Sequence, residues 1–388
     1  MKSVYRAAVW ALVEIEKFKR KRQGVEPPFK PHEAKRVLVV SSTAIGDALF
    51  AVPGIKALRR LLPDATIDLL LRDKVAPLFR GLNLADDVLV YRGRYRNGLS
   101  LIKNFRRKNY DMCIVFHDSD PCPVEAAYAA GVPFIFRIGQ KDEKCSHLLT
   151  FRVPYDNSKH AIDQRLEVLR RIFGTRLDDE DDFRMDIPVS PEQVAHYRNL
   201  LEERAGLGSG ARPRFVAFQF SASGFYKEWP QGNFVELGKA LIERDPGIFV
   251  VLIGGQGGRA RAREIESAIK GATGKDRVLD LTGAIPIGEL PAAMKAIDLL
   301  VTNDTGPLHV AIAVGTRTVS LFVSTNVEGT GPIQDRHLHT VMVKPKPCSP
   351  CVEKYCKDPH CMGLISPQEV YEAVVDSLKR LSDEGPSI

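Results

Sequence analysis

One apolar run of the sequence ends in a polar turn made of Asn303, Asp304, Thr305 and Gly306, and a helical pattern of small residues follows. At such a junction, unpaired backbone amides and the helix dipole form a site for an anion. Gly306 allows a ligand to approach the backbone closely, and the Thr305 hydroxyl can donate a hydrogen bond. Asp304 would repel a phosphate, so we expect its carboxylate to accept hydrogen bonds from ligand hydroxyls or loop amides. The alternative is that Asp304 or Thr305 merely caps the helix.

A second junction of this kind follows the apolar run that ends at Ser41. Gly46 relaxes the turn, and Asp47 lies in the first turn of the predicted helix. A carboxylate at this position has two interpretations. It is either a general base that takes a proton from a substrate hydroxyl or an acid that stabilises the start of the helix. For an isolated aspartate the second role is the more common one.

The segment Gln219 to Pro230 also follows an apolar run, and it contains Ser221, Ser223 and Lys227. A lysine beside a hydroxyl-rich turn is suited to binding a phosphate group. We therefore expect these three side chains to contact a ligand. The alternative is an exposed lysine whose aliphatic stem packs on Trp229.

Four of the seven cysteines lie close together near the C-terminus, as Cys348, Cys351, Cys356 and Cys361. Their C-x2-C-x4-C-x4-C spacing could supply four thiolates to a structural zinc ion, with free or redox-paired thiols as the alternative. The odd count and the clustering argue against a secreted disulfide framework.

The elements that carry these residues alternate between short β-rich runs and helical patterns, which predicts parallel sheets covered on both faces. The predicted strands are RVLVVS, ATIDLLL, DVLVY, YDMCIVF, RFVAFQF, IFVVLIG, VLDL, DLLVTN and RTVSLF. The predicted helices span residues 47–62, 160–173, 233–244, 259–269, 287–296, 307–314 and 367–381. The fold class that follows is α/β, with two Rossmann-like doubly wound domains. We expect them to face each other across a cleft that binds the ligand.

An acidic, proline-containing segment at residues 175–193 is the predicted linker between the two alternating halves. We expect an N-terminal extension at 1–35, a first Rossmann-like domain at 36–185 and a second at 190–345. A cysteine-rich segment with a closing helix follows at 346–388.

The composition is that of a soluble protein with two domains, because the chain has 388 residues, 44% of them hydrophobic. A net charge of +7 attracts phosphates, nucleic acid or anionic lipid without choosing among them. No apolar stretch approaches the ~20 residues of a membrane span. Glu14 and Glu16 interrupt the N-terminal apolar segment, unlike a secretory signal. We expect a cytoplasmic protein.

The N-terminal extension predicts an amphipathic helix, because its apolar residues recur at helical spacing. They are Val4, Ala8, Ala11, Leu12, Ile15 and Phe18, and a basic run follows from Lys17 to Arg22. Such a helix either lies on an anionic membrane surface or packs on the body of the protein. A second basic group either is a solvated face or meets a phosphorylated acceptor. It comprises Arg92, Arg94, Arg96, Lys103, Arg106, Arg107 and Lys108.

Three of these stretches together resemble glycosyltransferase family 9, the lipopolysaccharide heptosyltransferases. They are IGDALFAVPGIKALRRLLPDATIDLL, the segment with Lys227-x-Trp229-Pro230, and TNDTGPLHVAIAVGT. The resemblance implies a GT-B architecture, with the acceptor on the first domain and an ADP-activated sugar on the second. It also implies an inverting transfer that needs no cofactor. The stretch VFHDSDPCPVEAAYAAG matches the family only loosely, so the acceptor stays open.

The resemblance also implies roles for single residues. Asp47 would be the general base, and Lys227 with the Thr305–Gly306 turn would hold the diphosphate. Asp304 and His309 would shape the donor pocket. The implied partners are ADP-heptose and an anionic lipid-linked saccharide, met at the inner face of the cell membrane, and no nucleic acid. The alternatives are a nucleotide-sugar epimerase and a non-catalytic nucleotide-sugar-binding protein.

Overall fold

The computed structural model of the chain describes residues 2–23, 28–118, 120–139, 145–206, 213–323, 325–345, 347–348, 355–358 and 360–383. The chain divides into two compact units, Met1–Met185 and Asp186–Ile388, which we call unit 1 and unit 2. None of the helices within the described ranges is long and apolar enough to span a membrane.

Unit 1 contains six strands and seven α-helices in its described parts. The strands are β1 (Arg36–Ser42), β2 (Thr66–Arg72), β3 (Asp87–Tyr91), β4 (Met112–Asp118), β5 (Phe134–Gly139) and β6 (Phe151–Pro154). The helices are α1 (Lys2–Gln23), α2 (Ile45–Phe50), α3 (Val52–Leu61), α4 (Ala76–Phe79), α5 (Gly98–Lys108), α6 (Cys122–Ala129) and α7 (Ala161–Phe173). The strands form one parallel sheet in the order β3-β2-β1-β4-β5-β6.

Unit 2 likewise contains six strands and seven α-helices in its described parts. The strands are β7 (Arg214–Gln219), β8 (Ile248–Ile253), β9 (Val278–Asp280), β10 (Leu299–Asn303), β11 (Thr318–Phe322) and β12 (His339–Val343). The helices are α8 (Pro191–Arg204), α9 (Gln231–Arg244), α10 (Arg259–Thr273), α11 (Leu290–Lys295), α12 (Gly306–Ala313), α13 (Val327–Thr330) and α14 (Pro367–Asp383). Its parallel sheet has the order β12-β11-β10-β7-β8-β9.

The two sheets have the same topology. In each sheet the first strand of the unit, β1 or β7, pairs with the second strand on one side and with the fourth, β4 or β10, on the other. The chain therefore leaves these two central strands in opposite directions, which is the topological switch point where doubly wound sheets bind ligands. The structure confirms the predicted α/β class with two Rossmann-like sheets.

The central strands are apolar because helices cover both faces of the sheet. In β1, residues Val37 to Val40 are fully buried. In unit 2, the core includes Phe218 and Phe234, and the buried indole of Trp229 packs edge-on against Phe234. These cores fix the ends of the strands that carry the site.

The predicted helix at 47–62 is two helices in the structure. Helix α2 ends at Phe50, and α3 begins at Val52 with Pro53 in its first turn. Proline lacks the amide that would donate to the preceding turn, so a single continuous helix is disfavoured there. Helix α2 is therefore only six residues long, and Asp47 lies in its first turn, close to the end of β1.

Helix α1 packs on unit 1, through residues that the sequence pattern did not single out. Val9 and Val13 are fully buried in the cluster that also contains residues of α5 and α6. At the other end of the helix, Arg20 Nη2 donates to the carbonyl of Val132 at 2.7 Å. Of the predicted apolar face, Leu12 touches this cluster, whereas Val4 and Phe18 are exposed.

Candidate active site

Asp47 and His117 meet at the switch point of unit 1. Asp47 lies in the first turn of α2, just after β1, and His117 lies near the end of β4. The pairing of β1 with β4 shifts by one residue after Val40, and this places His117 opposite Ser41. His117 Nε2 then lies 3.9 Å from Asp47 Oδ1.

A hydroxyl group links the two side chains. The Thr43 hydroxyl donates to Asp47 Oδ2 at 2.9 Å, and His117 Nδ1 lies 3.0 Å from Thr43 Oγ1. Because the Thr43 hydrogen is directed to Asp47, the Thr43 oxygen is the acceptor for His117 Nδ1–H. The network orients the Asp47 carboxylate.

The charge of Asp47 is stabilised by a buried cation. Arg165 of α7 is almost fully buried, and its Nη2 lies 3.5 Å from Asp47 Oδ1. Burial alone would raise the pKa of Asp47, but His117, Arg165 and the Thr43 hydrogen bond hold that pKa below its usual value. The side chain is still 29% exposed. Asp47 is therefore an ionised carboxylate that a ligand can reach.

The helix-start interpretation of Asp47 also has support in the structure. Ala44 occupies the N-cap of α2, and its methyl side chain cannot cap the helix. The Asp47 carboxylate instead accepts a hydrogen bond from the Ala44 backbone amide. Asp47 thus serves the first turn of α2 and is ionised and accessible as well. The two interpretations left open by the sequence are compatible.

A pocket of about 260 Å³ adjoins this network inside unit 1. Its lining includes His117, Arg137, Tyr155, Gln164 and Arg165. Buried Gln164 Oε1 and Arg165 Nε have no hydrogen-bond partner among the described residues. Asp118 also lines the pocket and accepts from Arg137 Nη2 at 2.7 Å. The unpartnered atoms of Gln164 and Arg165 suit a polar ligand with hydroxyl groups.

Sequence reasoning did not identify His117, Arg137 or Arg165 as site residues. His117 had one available signal, since it follows a predicted strand at the edge where parallel strands place functional groups. Arg165 had none, because it lies inside a helical pattern and reaches Asp47 only through the packing of α7.

Lys227 and Asp304 meet at the corresponding switch point of unit 2. Lys227 follows β7, Asp304 follows β10, and Lys227 Nζ lies 3.1 Å from Asp304 Oδ2. His309 Nε2 lies 3.7 Å from Asp304 Oδ1. Burial would raise the pKa of Asp304, but His309 and Lys227 lower it to about 2. Lys227 is paired with Asp304 and its side chain is only 20% exposed, which argues against a freely solvated lysine.

Asn303 ties the Lys227 segment to β10. Its side-chain oxygen accepts the Trp229 amide at 2.9 Å, and its Nδ2 donates to the Gln219 carbonyl at 3.3 Å. The indole of Trp229 donates to the Ile365 carbonyl at 2.8 Å. The position of Lys227 beside Asp304 is thus fixed by groups on three segments.

The turn before α12 contains a threonine at the N-cap that does not cap the helix. Thr305 is the N-cap residue, but its side chain makes no capping hydrogen bond. The Thr305 hydroxyl lies 3.4 Å from the Thr302 hydroxyl instead, so the amides of the first turn of α12 are left without a side-chain cap from Thr305 and could bind an anion. On the other side of the switch point, Ser221 Oγ accepts from Gln219 Nε2 at 3.1 Å, and Ser223 is exposed.

The predicted zinc site lies partly outside the described residues, because Cys351 is not among them. Among the residues that the structure does describe, no three His, Cys, Asp or Glu side chains form a group that could hold a metal ion. The four-cysteine site stays a prediction, which elemental analysis of the purified protein would test.

This chain is similar to a family of glycosyltransferases. Residues 98–362 match the sequence model of glycosyltransferase family 9 (heptosyltransferase). Lipopolysaccharide heptosyltransferase 3 of Escherichia coli (strain K12) is 27% identical over 300 residues, which cover 72% of this chain and 80% of that protein.

Solved structures of this family share the fold. A glycosyltransferase family 9 protein from Veillonella parvula DSM 2008 has a TM-score of 0.75 at 21% identity, covering 89% of this chain and 98% of its own. The E. coli ADP-heptose lps heptosyltransferase II has a TM-score of 0.72 at 21% identity, covering 89% and 99%. The fold is therefore of the GT-B type.

The family match covers more than half of the chain. It favours a glycosyltransferase over the two alternatives, an epimerase and a non-catalytic binding protein. This protein belongs to glycosyltransferase family 9 and is a glycosyltransferase.

Proposed function

We propose that this enzyme transfers heptose from ADP-heptose to a saccharide acceptor of the lipopolysaccharide-core type, with inversion at the anomeric carbon. The observation that carries the proposal is the ionised, accessible carboxylate of Asp47, whose partners His117 and Arg165 line the pocket of unit 1. The choice of donor is supported by the name of the similar E. coli enzyme, an ADP-heptose heptosyltransferase.

Asp47 is the proposed general base. Its carboxylate accepts the proton of the acceptor hydroxyl while the hydroxyl oxygen forms a bond to the anomeric carbon of heptose. The bond between that carbon and the diphosphate oxygen breaks, and ADP leaves. A direct displacement of this kind inverts the configuration. Arg165 and His117 keep Asp47 ionised before the reaction.

The switch point of unit 2 is the proposed donor site. Lys227, the Thr305 hydroxyl and the Gly306 end of α12 would hold the diphosphate, because they offer a cation and helix amides. Ser221 and Ser223 would add hydroxyl contacts. In this proposal the chain itself supplies the positive charge that stabilises the leaving group, so transfer does not depend on a metal ion.

The sugar of the donor would contact the other residues of that switch point. Asp304, ionised and buried, can accept hydrogen bonds from heptose hydroxyls, with His309 beside it. Lys227 would exchange part of its contact with Asp304 for the diphosphate when ADP-heptose binds.

The pocket of unit 1 is the proposed acceptor site. Gln164 Oε1 and Arg165 Nε, which have no partner among the described residues, favour an acceptor sugar that offers hydroxyl groups. A carboxylate or phosphate on that sugar would share Arg137 with Asp118. Such an acceptor, linked to lipid, would be met at the inner face of the cell membrane.

The proposal is tested by offering a panel of nucleotide sugars and measuring thermal unfolding. A ligand at a hundred times its Kd adds ~2.7 kcal/mol of stability, so ADP-heptose should raise the melting temperature most. The transferred product should have the anomeric configuration opposite to the donor by NMR. Stabilisation by a uridine-based sugar alone, or retention of configuration, would refute the proposal.

A further inference from the structure

The outward face of α1 is apolar although it is exposed. Val4, Ala11, Ile15 and Phe18 are spaced by seven, four and three residues, so they form one stripe along the helix. Phe18 is 62% exposed and Ile15 is 50% exposed. Large exposed apolar side chains that line up in this way mark an interaction surface.

The direction of this stripe is fixed by the packing of α1. Val9 and Val13 lie on the opposite side of the helix and are fully buried. Glu16 pairs with Arg20, and the Arg20 guanidinium lies 4.2 Å from the ring centre of Tyr128 on α6. The stripe therefore cannot turn inward without losing these contacts.

Basic side chains lie at one end of the stripe. The last turns of α1 expose Lys19, Lys21 and Arg22. Lys19 lies 3.9 Å from Glu16, and the Arg22 guanidinium lies 5.7 Å from the ring centre of Phe18. The apolar stripe thus ends in a cationic patch.

A loop of arginines lies near the N-terminal half of α1, where Tyr95 of the loop interacts electrostatically with Arg6. Arg92, Arg94 and Arg96 alternate with buried residues between β3 and α5, and all three are exposed. Within the described ranges, no acidic side chain lies within ion-pair distance of them. The first residue of α5, Gly98, is so close to α1 that an added Cβ would lie 2.9 Å from a methyl group of Val9.

The arginine loop has a defined backbone. Gly93, Arg94 and Tyr95 all have left-handed φ values of 75°, 52° and 62°. Asp120 accepts the Arg94 amide at 3.3 Å and the Tyr91 hydroxyl at 2.5 Å. Non-glycine residues adopt this conformation at a cost, which these hydrogen bonds offset.

We propose that the outward stripe of α1, its basic end and the Arg92–Arg96 loop form a docking surface for an anionic phospholipid bilayer. Phe18, Ile15 and Val4 enter the boundary between headgroups and acyl chains, and the basic side chains contact lipid phosphates. This proposal rests on the proposed function, because a lipid-linked acceptor would be reached at a membrane surface. An anionic bilayer fits better than a second copy of the chain, because two copies would bring like charges together.

The experiment measures partition of the full-length protein onto vesicles of phosphatidylcholine with and without phosphatidylglycerol. We expect at least tenfold stronger partition onto the anionic vesicles. The double variant Ile15→Glu/Phe18→Glu should lose at least tenfold, whereas Val343→Glu, at a position that is 54% exposed in unit 2, should bind as the wild type does. Each arginine of the loop changed to Gln should cost about fivefold on anionic vesicles.

Three results would overturn this proposal. They are equal partition onto both kinds of vesicle, unchanged partition of the double variant, and a dimer in light scattering that the double variant abolishes without any vesicle binding. The proposed function fails separately. Transfer to an acceptor freed of lipid tests the reaction alone, and the Ile15→Glu/Phe18→Glu variant should retain it.

Discussion

The switch points of the two units carry similar groups in a reversed arrangement. In unit 1, a carboxylate follows the first strand and a histidine ends the fourth, as Asp47 and His117. In unit 2, a lysine follows the first strand and a carboxylate follows the fourth, as Lys227 and Asp304. Equivalent positions in one topology have therefore been given different chemistry.

The two carboxylates differ most in their access to ligands. Asp47 is 29% exposed, and its partners His117 and Arg165 line a pocket, whereas Asp304 is 9% exposed and held between Lys227 and His309. An ionised group that a substrate hydroxyl can reach is suited to proton transfer. A carboxylate enclosed by its partners is suited to orienting a cation and a ligand. This difference is the basis for proposing Asp47, and not Asp304, as the base.

Removing the base should have the largest effect. We expect Asp47→Asn to slow single-turnover transfer by ~10²–10⁴-fold, because the proton of the acceptor hydroxyl then has no acceptor in place. Donor affinity measured by calorimetry should remain close to that of the wild type, because the proposed donor contacts lie in unit 2. A normal rate for Asp47→Asn would leave Asp47 only its role at the start of α2.

Removing the Lys227 ammonium group of unit 2 should weaken donor binding, which the loss of the base is not expected to do. We expect Lys227→Ala to weaken donor binding by about 10- to 100-fold, the value of a charge-assisted hydrogen bond. Lys239→Ala is the matched control, because Lys239 pairs with Glu236 at 2.8 Å on the surface of the same unit. If both variants bind ADP-heptose equally well, Lys227 does not hold the diphosphate.

The lowered pKa of Asp304 predicts that this carboxylate makes a pH-dependent contribution to the stability of the folded protein. A pKa near 2 in the folded state, against 3.8 for the free side chain, corresponds to about 2 kcal/mol of folding free energy. This contribution is present above pH 4 and is lost as the pH falls to 2. Urea unfolding of Asp304→Asn should therefore show the loss at pH 7 and little difference from the wild type at pH 2. A loss that persists at pH 2 would point to packing instead of charge.

Sequence reasoning found most of the central strands because they are continuous apolar runs. The run RVLVVS predicted β1, which spans Arg36–Ser42, and DLLVTN predicted β10, which spans Leu299–Asn303. It missed three strands, of which β6 and β12 lie at sheet edges and carry fewer buried residues, whereas β5 lies between β4 and β6 with a mixed burial pattern. Edge strands need less apolar sequence, so their pattern is weaker.

The residues that contact Asp47 could not be predicted from the sequence, for a different reason. Arg165 lies 118 positions from Asp47 along the chain, and only the packing of α7 brings the two together. His117 reaches Asp47 because of the shift in pairing between β1 and β4, which no local pattern encodes. The unused cap at Thr305 is likewise a matter of side-chain geometry.

The smallest expected effect is a shift in the acidic limb of the pH profile of kcat/KM. His117 is one of the groups that lower the pKa of Asp47, so His117→Asn should raise that pKa. A base acts only when ionised, and the pH below which kcat/KM falls should therefore move upward, with less than about a tenfold change in rate at pH 8. An unchanged pH profile would show that His117 does not affect the pKa of Asp47.

Hydrogen exchange in the presence of ADP tests most directly whether the two switch points divide the substrates between them. We expect protection of residues 219–229 and 301–309 in unit 2. Residues 41–47 and 112–118 in unit 1 should exchange as they do without ADP. Protection that appears first in the two segments of unit 1 would contradict the assignment of the donor to Lys227 and Asp304 and of catalysis to Asp47.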